Sequence, residues 1–330
     1  MKILAPLRHS SEVGPLGAAG ADEFYCGLTP PGWAERFGAA WVHRRNPFSA
    51  GVPGLEDLRE AVRSAGPLPV YVTVNAPSYP EGSVPFLVEF AGTLLPETGV
   101  AGLIVADLDL LLALAEAGLG ARLHLSSLAA CTNGSAAAFF REVGISRVIL
   151  PRHLTLAEIE AIVASAPGLE TEVFLLNDGC VFEEGLCATT HGAGPFCVDD
   201  AEGNEALPPA LRERYAFWKW TLDNCGCRTS LGYQLGPCGL CALPRFLELG
   251  VTSLKVVGRE ASLARKVGSV RLAAAARRLA LAGKGPEAIR DAVVELRGAA
   301  NLCEGALLCY YPDVWARAPE LREEERRCCA

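Results

Sequence analysis

The sequence predicts a TIM-like (β/α)8 barrel, and three observations carry that expectation. Eight short β-type apolar runs recur along the chain, most are followed by a helix-patterned segment, and half of the 330 residues are hydrophobic. Strictly alternating strands and helices specify a parallel sheet covered by helices, and eight such units close into a barrel more economically than they form an open sheet. One large core is within reach of a chain this long.

The strand series begins with "KILAP" (2–6), "DEFYCG" (22–27), "PVYVTVNA" (69–76) and "GLIVAD" (102–107). It continues with "RLHLSS" (122–127), "RVILPR" (147–152), "EVFLLN" (172–177) and "SLKVVG" (253–258). These runs are short and rich in β-branched and aromatic residues, as buried strands are. Between them "LEDLREAVRSAG", "LDLLLALAEAG", "GSAAAFFREVG" and "TLAEIEAIVASA" have helical periodicity, and several stop at Gly, a helix C-cap signal. After Gly258, "RLAAAARRLALAG" and "PEAIRDAVVELRG" read as helices that complete the outer ring. The whole chain, 1–330, is expected to be a single barrel domain. Only the connection between the seventh and eighth strands breaks the rhythm. It is a cysteine-rich insert, 177–252, too long to be structureless inside a compact domain.

The net charge of −8 and pI near 5.3 lack the basic excess typical of nucleic-acid binding, so a nucleic-acid partner is not supported by composition. The opening "MKILAPLRHSSE" has one Lys and a short apolar run before Pro6, which does not make a leader or a membrane span. A cytoplasmic protein without a membrane association is expected. Thirteen cysteines, an odd number, argue against a full disulfide framework in a reducing compartment and for metal or cluster ligation.

In such a barrel the loops after the strands build the catalytic face. That rule selects Asn75, Ser126, Arg152, Asn177, Asp178, Lys255 and Arg259. His124 lies two residues before Ser126, so strand alternation sends both to one side, and it is the candidate for proton transfer. Arg152, Lys255 and Arg259 suit the carboxylates of an anionic ligand. Cys180, Cys187, Cys197 and Cys238 are spaced unlike a zinc ribbon, yet four thiolates can converge on a [4Fe-4S] cluster from distant positions. Zinc remains the alternative, with "CGC" (Cys225, Cys227) and "CGLC" (Cys238, Cys241) as a competing site. Cys26, Cys131, Cys303 and Cys309 each stand alone in apolar settings and read as small buried hydrophobes.

Several stretches together resemble the collagenase-like peptidase family U32 along nearly the whole chain. They are "LAP", "GADEFYCG", "VYVTVN", "GLIVADLDLL", "LHLSS", "VILPRHLTLAEI", "EVFLLNDGC" with "GLC", and "CGLCALPRFLELGVTSLKVVGR". The last two blocks are the specific ones. The resemblance implies a [4Fe-4S] cluster on Cys180, Cys187, Cys197 and Cys238, with prephenate as an oxygen donor in the hydroxylating branch. Similar proteins include oxygen-independent hydroxylases of ubiquinone biosynthesis, of tRNA and of ribosomal RNA, and proteins described as collagenases. The chain departs from the family's His-Gly at Asn177 and Asp178, and from its "IEGR" at Val257.

The expected function is therefore oxygen-independent hydroxylation of a small aromatic or quinone-like organic substrate. RNA hydroxylation, peptide hydrolysis and a non-catalytic cluster-binding role are the alternatives. No "HExxH" or "GxSxG" motif supports the peptidase. A homodimer, or a heterodimer with a related family member, is implied by the paired working of quinone hydroxylation proteins, and "YAFWKW" (215–220) is the candidate contact patch.

Overall fold

The computed structural model of the protein describes residues 1–38, 41–45, 47–177, 185, 237–297, 303 and 309–315. Eight parallel strands close into a barrel in sequence order: β1 Lys2–Pro6, β2 Glu23–Gly27, β3 Val70–Val74, β4 Gly102–Val105, β5 Leu123–Leu125, β6 Arg147–Ile149, β7 Glu170–Leu176 and β8 Ser253–Val256. Closure is made by β8 against β1, with Lys2 opposite Ser253 and Leu4 opposite Lys255. The strands are almost wholly buried, as parallel strands covered by helices must be.

Helices follow the strands where the periodicity placed them, among them Leu55–Ala65, Ser83–Thr98, Gly134–Val143, Leu156–Ser165, Leu263–Leu281 and Pro286–Arg297. Local chemistry sets their ends. Asp107 accepts from the Leu110 amide at 2.8 Å, Asn133 from Ala136 at 2.9 Å, and Thr155 with Glu158 forms a reciprocal capping box. Gly20, Gly99, Gly144 and Gly250 take the left-handed conformation that ends a helix.

The connection from β7 to β8 differs from the expected insert at its far end. A 3-10 turn at Leu240–Ala242 and a helix at Leu243–Leu249 already belong to the barrel's outer ring, because "LPRFLEL" buries Leu243 and Phe246. Asp178, Cys180, Cys187, Cys197, Cys225, Cys227 and "YAFWKW" lie outside the described residues. Among the described residues no helix is long and apolar enough to cross a membrane.

Candidate active site at the barrel mouth

Strand alternation decides which side chains enter the barrel, and here it sends in charge where such barrels usually pack aliphatic layers. Arg147, the first residue of β6, is fully buried at the strands' N-terminal end. Its Nη1 donates to Glu23 at 2.7 Å and to Glu172 at 3.1 Å, and its Nη2 donates to Glu23 at 3.1 Å and to Glu170 at 2.6 Å. Burial works against the charge of Arg147, but Glu172 and Glu23 more than offset it and hold the guanidinium charged. One level higher, the Lys255 ammonium donates to Glu172 at 2.8 Å and sits 4.4 Å from the centre of the Tyr25 ring. His124 packs on Tyr71 with ring centroids 4.3 Å apart. Burial, then Arg147 and Lys255, push its pKa well below the usual imidazole range, so the ring is neutral.

At the strands' C-terminal end the balance changes. The guanidinium of Arg259, which follows β8, is buried and donates to the Thr73 hydroxyl at 2.7 Å, with the Tyr25 ring 5.9 Å away. Among the described residues it forms no ion pair, and buried charges are normally paired. Beside it lies His43, buried, whose ring nitrogens find no hydrogen-bond partner of good geometry among the described residues, with the backbone of Arg45 close by. Burial and then Arg259 push the His43 pKa well below the usual range. Both groups converge on Gly27, where a Cβ would stand 2.6 Å from Arg259 Nη1 and 2.6 Å from His43 Nε2. The absent side chain of Gly27 is what lets a cation and a neutral imidazole meet at the mouth. Asn75 and Ser126 join them on the rim, Nδ2 donating to Oγ at 3.3 Å.

The residues picked from the sequence therefore divide. Asn75, Ser126 and Arg259 stand at the mouth with hydrogen-bonding groups. His124 lies deeper, against Tyr71, and the ammonium of Lys255 is engaged by Glu172. Arg152 covers the Phe174 ring at 4.1 Å. Asn177 has φ of 73°, and its amide donates to the Val257 carbonyl and to Ser269, both at 3.1 Å. Its polar capacity is used to lock the end of β7.

Cys238 is the one member of the expected ligand set among the described residues. It extends the sheet beyond β7, bridging Leu176 on one side and Cys309 on the other. It is a free, half-buried thiol on the wall of a cavity that also presents Arg297, whose buried Nε has no hydrogen-bond partner among the described residues. Clusters are held by thiolates and carry net negative charge, so this wall fits such a group and Cys238 would hold it. Cys26 and Cys131 are buried as expected, and burial pushes both thiols up to about 12. Cys303 and Cys309 are not core hydrophobes: they are half-buried on that same cavity wall.

The family model for peptidase family U32 matches residues 10–313. The chain belongs to peptidase family U32. Among curated relatives, tRNA hydroxylation protein P of Escherichia coli (strain K12) is 30% identical over 172 residues, covering 52% of this chain and 35% of that protein. tRNA hydroxylation protein P1 of Bacillus subtilis (strain 168) is 24% identical over 219 residues, covering 63% of this chain and 50% of the relative. The chain thus spans half or less of the length of these relatives. The solved structure of a U32 peptidase aligns with 62% of this chain and 83% of its own, at 18% identity and a TM-score of 0.42.

Several groups of this U32 barrel are not evident from loop position alone. Thr73 sits two residues before Asn75 on β3 and could have been found by alternation. Glu23, Arg147 and Glu172 have the same signal, charged residues at strand positions that point inward. His43 carries no such signal, because it comes from an irregular loop whose path only the folded chain defines.

Proposed function

We propose that this U32 protein is a hydroxylation enzyme acting on tRNA, with an anionic oxygen donor bound at the barrel mouth. The observation that carries the reading is the buried Arg259 guanidinium, which has Thr73 and neutral His43 beside it and no carboxylate of its own among the described residues. A buried cation in that position suits a carboxylate-bearing donor such as prephenate, bound through the guanidinium fork. The names of the curated relatives favour tRNA over a free quinone-like molecule. Hydroxylation replaces C–H by C–OH, so the substrate loses two electrons and the donor that gives up its oxygen accepts them. An iron-sulfur cluster at Cys238, when bound, would supply one-electron redox chemistry. His43 would offer a neutral imidazole beside Arg259 as a hydrogen-bonding partner for the bound donor. Asn75 and Ser126 would orient the ligand by hydrogen bonds.

The test is nucleoside mass spectrometry of tRNA from a deletion strain grown without oxygen, complemented with the wild-type chain or with Arg259→Met. A hydroxylated nucleoside that disappears on deletion, returns with the wild type and fails to return with Arg259→Met supports the reading. Unchanged tRNA together with accumulated peptides would replace it with a peptidase.

A further inference from the structure

Helix Leu263–Leu281 differs in charge from other helices of the outer ring. Between Ala261 and Pro286 the chain carries Arg265, Lys266, Arg271, Arg277, Arg278 and Lys284 and no acidic residue, although the protein as a whole has a net charge of −8. Helix Leu55–Ala65, by contrast, mixes both signs and pairs them, with Arg59 on Glu56 and Arg63 on Glu56 and Glu60. Helix Pro286–Arg297 likewise mixes Glu287, Arg290, Asp291 and Glu295. Two of the six cations serve the fold. Lys266 is buried on the Glu12 carboxylate at 2.8 Å, and Arg277 pairs with Asp22 and donates to the Met1 carbonyl at 3.0 Å. Arg271, Arg278 and Lys284 are exposed and form no ion pair among the described residues.

We infer that the outer face of this helix carries the phosphate backbone of the tRNA, with Arg271, Arg278 and Lys284 as its contacts. The inference rests on the tRNA reading of the proposed function and names the surface that reading requires. Helical spacing puts Ala264, Gly268, Arg271, Ala275, Arg278 and Ala282 on one face. Arg271 and Arg278 stand two turns apart, about 10 Å along the axis. Only small residues lie between and beside them, so no bulky or acidic side chain holds a polyanion away. The opposite face buries Leu272, Ala273, Ala276 and Ala280, which fixes the arginines outward. A helix dipole accounts for a cation in the last turn, and so for Arg278, but Arg271 lies mid-helix and gains nothing from it. Nucleic acid presents phosphates every few ångströms, and an exposed row of unpaired cations is what neutralises them. The helix starts at Leu263, just after Arg259 of the barrel mouth, so a strand lying along it leads to the candidate site.

The test measures binding of the full chain to end-labelled bulk tRNA from the deletion strain, by fluorescence anisotropy over a series of KCl concentrations. The triple variant Arg271→Gln, Arg278→Gln, Lys284→Gln is compared with Arg59→Gln, Arg63→Gln, Arg245→Gln, which removes the same charge from arginines paired to carboxylates elsewhere on the surface. The first variant is expected to bind at least ~10-fold more weakly, and its slope of log affinity against log salt to fall by about 2 to 3, nearly one per lost phosphate contact. The control should stay within about twofold of wild type, and both variants should keep the wild-type melting temperature, as exposed substitutions do. Wild-type affinity and slope in the first variant, or equal losses in both, overturn the assignment of this face and leave the tRNA reading to the nucleoside analysis. Binding of the wild type to phosphatidylglycerol vesicles, lost in the first variant while tRNA binding is unchanged, gives the face to a membrane instead. No binding of tRNA by the wild type, with unchanged nucleosides in the deletion strain, overturns both.

Discussion

The guanidinium of Arg147 meets the carboxylate of Glu23 through two hydrogen bonds, at 2.7 and 3.1 Å, with both side chains sealed from solvent at the N-terminal end of the barrel. The strands that carry them lie on different sides of the barrel, so this pair ties β2 to β6 across its interior. Glu170 and Glu172 close the network from β7. A buried pair of this kind adds little over a well-packed apolar substitute, but removing one partner strands the others.

Arg147→Ala is therefore expected to cost about 3–5 kcal/mol, because two buried carboxylates lose their cation. Urea unfolding followed by circular dichroism reads this as a lower midpoint at unchanged slope. Arg147→Lys keeps the charge and loses the fork, and it should fall between wild type and Ala.

Two buried neutral histidines give the protein an acid-side instability. His43 and His124 both have folded pKa values well below the ordinary 6.5. The unfolded chain therefore binds more protons below that pH, and stability falls as pH drops through 6.5 towards the folded values. Each contributes a slope of about 1.4 kcal/mol per pH unit in that window. Denaturant midpoints between pH 5 and 8 should show the combined slope, and His43→Gln should remove about half of it.

Gly27→Ala tests the mouth with little burden on the fold. The new methyl group would stand 2.6 Å from the ends of two side chains, so Arg259 and His43 must move apart while the barrel backbone stays. Displacement of a binding group by about 1 Å typically costs ~100-fold in rate. The proposed hydroxylation should fall on that scale with little change in melting temperature. Thr73→Val, which strips Arg259 of its hydroxyl acceptor at 2.7 Å, should instead cost about 1–3 kcal/mol of stability.

Tyr310→Phe probes the clamp on β7. The Tyr310 hydroxyl donates to the Asn177 carbonyl, and the Asn177 amide donates to the Pro237 carbonyl at 3.0 Å. Loss of that hydroxyl should cost about 1 kcal/mol and raise amide hydrogen exchange at residues 309–315. Exchange that stays at the wild-type level would show the segment to be held by other contacts.

The barrel could be read from the sequence because its signals are local: apolar runs of strand length, helical periodicity and Gly or Asn at the helix ends. All eight strands were visible for that reason. Loop position picked out Asn75, Ser126 and Arg259 at the mouth, since residues just past a strand must lie there. The same rule could not tell that Lys255 is engaged by Glu172, or that Asn177 spends its amide on the backbone, because those partners are 83 and 80 residues away. Cys303 and Cys309 misled for the same reason. Each looks solitary in sequence, and only the return of the chain to β7 gives them neighbours.

That return has a bearing on how the protein is made. Tyr310 and Asn177 are 133 residues apart, and Tyr311 and Phe174 are 137 apart. During synthesis every strand of the barrel is available before the segment that walls the cavity on its far side. Barrel closure and completion of the cysteine-lined cavity are thus separate events. A nascent chain stalled before Cys303 would have its mouth residues in place and a pocket with half its thiols.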